Sequence, residues 1–137
     1  MLENVNIIAI LVATVVSMAI GAGWYSSLAN AWMNANGFSE DERAKLNEGG
    51  SPVVYLIAAL SHLVMAYILS GILYHAQAFS IFGGMLSAVL IWAGFVVTTM
   101  TVNHRFQMKP WSLTAIDSGH YLIVLLAQGA ILGWFGI

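Results

Sequence analysis

Asp117, His120 and Tyr121 stand at i, i+3 and i+4, a spacing that puts a carboxylate, an imidazole and a phenol on one helix face. A carboxylate takes a proton or a cation. An imidazole changes charge near neutral pH, or offers a nitrogen lone pair to a ligand. His62 supplies a second imidazole, and Thr98, Thr99, Thr101 and Asn103 lead into His104 and Arg105. Trp24, Tyr25, Ser26 and Ser27 form a third polar group. Asp117 has two readings. Near the positive end of a helix dipole it pins a hairpin by pairing with Arg105 or Lys109; in a cavity it binds a proton or cation. His62 and His120 are either neutral imidazoles hydrogen-bonded across helices or functional groups. A bis-histidine haem between them needs a bundle wide enough for a macrocycle, so the expectation is no cofactor and no metal.

The elements that position these groups follow from the charges. Hydrophobic residues make up 60% of the 137 residues and charged ones 7%, far below the roughly 25% of soluble domains. From Gly49 to His104 there is no Asp, Glu, Lys or Arg; a helix rising 1.5 Å per residue needs roughly 20 apolar residues to cross a bilayer core. That run holds two crossings. Asn4–Ser39 holds another, and Trp111–Ile137, with Asp117 alone charged, holds a fourth. The pattern predicts an all-α polytopic membrane protein, one domain over residues 1–137. Its helices are expected at about 5–31, 52–76, 80–105 and 112–135. The first is a retained helix and not a signal peptide, because Met-Leu-Glu-Asn precedes it where a basic region is required. Ser39-Glu-Asp-Glu42 reads as a capping box that opens a short surface helix over about 39–48.

Arg43, Lys45, Arg105 and Lys109 all fall in the first and third connections. The positive-inside rule places both connections in the cytoplasm and both termini outside. On that frame His62 and His120 lie about two and a half turns deep from the cytoplasmic side, with Asp117 one turn shallower. Helix packing is expected along small-residue stripes: Ala9, Ala13, Ser17 and Gly21; Ala58, Ala66 and Ser70; Ser87, Gly94, Thr98 and Thr101; Gly129 and Gly133. Polar groups thus gather in the cytoplasmic half, with Gln128 the main exception. The cluster predicted to bind is Asp117, His62, His120, Thr98, Tyr25, Ser26, Trp24 and Arg105.

Several classes of function find no support. Net charge −2 gives no basic footprint for nucleic acid, and without cysteine there is no thiolate chemistry. No nucleophile elbow, metal-binding His-Glu pair or phosphate loop occurs, so nothing positive points to an enzyme. Helix one has no Asp or Glu after Glu3, which removes export mechanisms built on a carboxylate deep in that helix.

Gly21-Ala-Gly-Trp24-Tyr25-Ser26 followed by Trp32, then Gly94-Phe95, Thr98, Pro110-Trp111, Ile116-Asp117, Gly119 and Gly129-Ala-Ile-Leu-Gly133, resembles the small bacterial membrane proteins grouped as domain of unknown function 1761. The resemblance implies a four-helix membrane domain and no particular activity. Its recurrent positions correspond here to Trp24, Tyr25, Ser26, Thr98, Trp111 and Asp117. Two functions are expected. One is an oligomeric transporter or channel for a cation, proton or small polar solute. The other is a non-catalytic subunit of a membrane complex. The expected partners are the lipid bilayer, further copies of the chain and other membrane subunits.

Overall fold

Asn6 starts the first helix by accepting from the Ala9 N–H at 3.0 Å, so one orphan amide of the helix end is satisfied. The computed structural model describes residues 5–136; Glu3 and Ile137 lie outside them, as does the leading Met-Leu-Glu-Asn. Helix α1 spans Ile7–Ser27, and α2, Ala29–Asn36, continues it beyond a break at Leu28. A single helix to Ala31 was expected. The chain instead bends at Leu28, whose φ of −107° and ψ of 15° lie off the helical values, and runs on for another two turns. Gly37, at φ 75°, ends α2 in the left-handed conformation that glycine adopts without a Cβ penalty.

Helix α3, Glu40–Asn47, is the expected surface helix. Its capping box is complete: the Ser39 N–H donates to Glu42 Oε2 at 2.7 Å, and the Glu42 N–H donates back to Ser39 Oγ at 3.4 Å. Those donors hold the Glu42 carboxyl below its ordinary range, the Ser39 backbone amide contributing most.

Helix α4 runs Pro52–Ala76, with Ser51 as its cap and proline at the first turn, where a missing N–H costs nothing. Helices α5, Ile81–Ile91, and α6, Val97–Phe106, form one rod joined by a π-helical turn at Trp92–Val96. The sequence pattern predicts an unbroken α-helix there and misses the turn. Helix α7 runs Trp111–Phe135. Four segments, Ile7–Ser27, Pro52–Ala76, Ile81–Phe106 and Trp111–Phe135, are long and apolar enough to cross a membrane.

These helices run alternately up and down, with α7 at the centre against α1 and the α5–α6 rod, and α4 packed on α1. The interior mixes leucines, among them Leu69, Leu73 and Leu132, with small side chains at the closest helix contacts: Ala9, Ala13, Ser17, Ala66 and Ala88 are fully buried, while Phe82 is 77% and Val15 69% exposed. Small residues at the helix contacts suit a lipid solvent, where close backbone approach rather than hydrophobic burial joins helices. Helices α5 and α7 show this most directly. A Cβ on Gly84 would run into the Gly129 carbonyl, and one on Gly133 into the Ser80 carbonyl. The third helix therefore packs through Gly84 and Ala88. The expected stripe of Ser87, Gly94, Thr98 and Thr101 points elsewhere: Gly94 and Thr98 are exposed. The stripes of α1, of α4 and of Gly129 and Gly133 do face neighbours.

Candidate functional site

The bend at Leu28 turns α2 back onto α7, and this sets the geometry around Asp117. The Tyr25 hydroxyl and the Trp32 indole N–H both donate to Asp117 Oδ1, at 2.9 Å and 3.2 Å. The Trp24 indole donates to the Ile116 carbonyl at 3.0 Å, and Gly119 leaves room for its ring, since a Cβ there would stand 3.1 Å away. Two indoles and a phenol thus clasp the start of α7. His104 Nε2 stands 3.9 Å from the other oxygen, Oδ2.

The expected pairing of Asp117 with Arg105 or Lys109 is not formed. Arg105 donates to Thr114 Oγ1 at 3.0 Å and lies over the Trp111 ring, 3.8 Å from its centroid, a cation–π contact that holds it away from the carboxylate. Lys109 donates to the Asn36 carbonyl at 2.9 Å, at the C-terminal end of α2, where a cation is favoured. Tyr25, Trp32 and His104, the polar groups placed on the Asp117 carboxylate, are all aromatic or imidazole rings, and no guanidinium or ammonium reaches it among the described residues.

Beside this clasp lies a pocket of about 590 Å³ between α1, α2, α4 and α7, bordered by Leu46 and Asn47 of α3. Its walls carry Tyr25, Trp32, Tyr55 and Tyr121, and its depths carry His62 and His120. The two imidazole centroids are 6.0 Å apart with planes at 81°. Tyr25 and Tyr121 flank the His120 ring at 5.0 Å and 4.8 Å between centroids. Gly21 gives that ring its space: a Cβ there would come within 3.3 Å of His120 Nε2.

His62 is 6% and His120 4% exposed, so their polar atoms are withdrawn from bulk solvent. His62 Nδ1 lies 2.8 Å from the Ala58 carbonyl, which only accepts; Nδ1 therefore carries the proton and Nε2 is a bare lone pair. That Nε2, and both nitrogens of His120, have no hydrogen-bond partner among the described residues. Buried nitrogens without a protein partner cost stability unless a water, an ion or a ligand completes the bonding. Below them the fully buried Gln128 donates to Ser17 Oγ at 3.0 Å and to the His62 carbonyl at 3.2 Å. This layer ties α1, α4 and α7 together beneath the histidines.

Of the predicted cluster, Tyr25, Ser26, His62 and His120 line the pocket, and Asp117 and Trp24 stand in the clasp behind it. Arg105 lies apart at Thr114 and Trp111. Thr98 is not part of the site: it faces outward and spends its hydroxyl on the Gly94 carbonyl at 2.8 Å, within its own helix. Trp32, outside the predicted cluster, joins the site because the bend at Leu28 carries α2 over Asp117, which spacing along the chain does not reveal. Gln128 was set aside as an outlier in depth. Its spacing of eight from His120 already aligns the two on α7.

The chain matches the model of a family described as protein of unknown function (DUF1761) over residues 8–133. Comparison with the curated proteins and with the solved structures gives no match. A family match over nearly the whole length, on four helices capable of crossing a membrane, means that the chain belongs to the DUF1761 family.

Proposed function

We propose that this protein is a small membrane transporter whose pocket binds a small polar solute from the cytoplasmic side of a bacterial inner membrane. One observation carries the reading: His62 and His120 line a pocket of about 590 Å³, and three of their buried ring nitrogens have no hydrogen-bond partner among the described residues. Unpaired nitrogens weaken a helix lock, and the histidines, unlike Gln128, whose amide nitrogen donates to two neighbours, make no side-chain hydrogen bond to another helix among the described residues. The Gln128–Ser17 layer closes the way beneath, which favours binding and release over an open pore. The placement of the basic residues supports the cytoplasmic orientation.

The test is solute flux in proteoliposomes, comparing wild type with Ala22→Phe. Ala22 is exposed and lines the pocket, so a phenyl group fills space there without entering the core. Flux of a small polar solute that Ala22→Phe removes supports the reading. No flux with any cationic, neutral or acidic solute contradicts it.

A second reading, a non-catalytic subunit, draws on an apolar groove of about 410 Å³ lined by Val64, Ile68 and Ile72 of α4 and by Ile91 and Met100 of the α5–α6 rod. Such a groove suits a neighbouring helix, from another copy or another subunit, as well as lipid. Cross-linking in mild detergent tests it, and a monomer at all concentrations removes the oligomeric form of either reading.

A further inference from the structure

We infer that the solute is a small protonated amine, held by N–H donation to the lone pairs of His62 and His120. This rests on the pocket being a solute site, as proposed above. The argument is an inventory of donors and acceptors. With Nδ1 of His62 committed to the Ala58 carbonyl, Nε2 accepts and cannot donate in the neutral ring. A neutral His120 adds one acceptor and one donor, both unpartnered among the described residues. The buried, unmet demand is thus two lone pairs against one N–H. A ligand that meets it brings protons.

Charge selects further. No Lys or Arg lines the pocket among the described residues, so an anion finds no counter-charge there. The walls instead carry the rings of Tyr25, Trp32, Tyr55 and Tyr121, and aromatic π-faces attract a cation. Asp117 does not line the pocket, but it accepts from Tyr25 and Trp32 and so sets a carboxyl group behind that wall. A metal ion would meet the same lone pairs, but no group of three or more His, Asp or Glu gathers among the described residues, and the chain has no cysteine. Two imidazoles surrounded by aromatic faces fit an ammonium group better than a metal ion, which draws on more ligands.

The experiment is calorimetric titration of the full chain in lipid nanodiscs with four matched probes: benzylammonium, benzyltrimethylammonium, benzyl alcohol and benzoate. Benzylammonium is expected to bind, with benzyltrimethylammonium, which keeps ring and charge but has no N–H, at least tenfold weaker, and benzoate weaker still. His62→Leu and His120→Leu are each expected to weaken benzylammonium at least tenfold, and Ala22→Phe to abolish it. Equal binding of the quaternary probe overturns the inference, because the aromatic walls would then act alone. Benzyl alcohol or benzoate binding best, and being lost in Ala22→Phe, overturns the amine assignment while leaving the solute pocket standing. No binding by any of the four probes overturns the amine assignment too; if flux in proteoliposomes is also absent, the pocket reading falls with it.

Discussion

The Tyr25 hydroxyl donates to Asp117 Oδ1 at 2.9 Å, joining residues 92 positions apart in the chain. Trp32 donates to the same oxygen, so one carboxyl group fastens α1, α2 and α7. Removing it leaves two half-buried donors without an acceptor. Asp117→Ala is expected to cost about 1–3 kcal/mol in thermal denaturation in detergent. Asp117→Asn, which keeps an acceptor but no charge, is expected to cost about 1 kcal/mol. Because the three groups share one oxygen, Tyr25→Phe combined with Asp117→Ala should cost less than the sum of the two. Removing Arg105 as well should restore nothing, since it does not touch Asp117.

Glycine substitutions separate close packing from mere helix propensity. Gly129→Ala drives a methyl group into the Gly84 carbonyl and must part α5 from α7. A loss of about 2 kcal/mol or more is expected, at the upper part of the range for overpacking. Gly23→Ala, with nothing within 4 Å of its Cβ position, should gain up to about 1 kcal/mol from helix propensity. Equal effects at the two sites would show that the α5–α7 contact is looser than described.

The capping box gives a pH dependence of known sign. The Glu42 carboxyl is held below its ordinary range by the Ser39 amide and hydroxyl. Its support of α3 is therefore full above the unfolded carboxyl value of about 4.3 and is lost as pH falls through the lower folded value. A spin label at Lys45 should gain mobility as pH drops from 6 to 3, and Glu42→Gln should flatten that change.

The boundaries of α4, of the α5–α6 rod and of α7 were legible because charge runs, caps and prolines act locally: Ser51-Pro52 and Pro110-Trp111 mark helix starts by their own chemistry. The resemblance carried by Trp24, Tyr25 and Asp117 also named residues that meet in the structure. The bend at Leu28 and the π turn at Trp92–Val96 were not legible, since neither carries proline and both depend on packing against α7. The partner of Asp117 was misread for the same reason. Chain distance favoured Arg105 and Lys109, whereas the bend brings Trp32 across from 85 positions away in the chain. His62 and His120 were placed at one depth by counting turns, and they do meet.

Orientation is testable independently of function. Single cysteines at Glu40 and Gln107 should be shielded from an impermeant maleimide in intact cells, and one at Gln77 should label. All three positions are exposed in the fold, so protection reports the membrane and not burial. The opposite pattern would invert the orientation drawn from the four basic residues.

The central claim is that the histidine pair forms a ligand site and not a helix lock, and the stability of His120→Leu tests it most directly. His120 is 4% exposed with both nitrogens unpartnered, so a lock has nothing there to lose. Replacing the ring with an apolar side chain of similar size removes two unsatisfied polar atoms. The ligand-free variant is expected to unfold at an equal or higher temperature than wild type, with a gain of up to about 2 kcal/mol, while solute binding is lost. A loss of more than about 1 kcal/mol, with solute binding intact, would contradict the account and make His120 a structural residue.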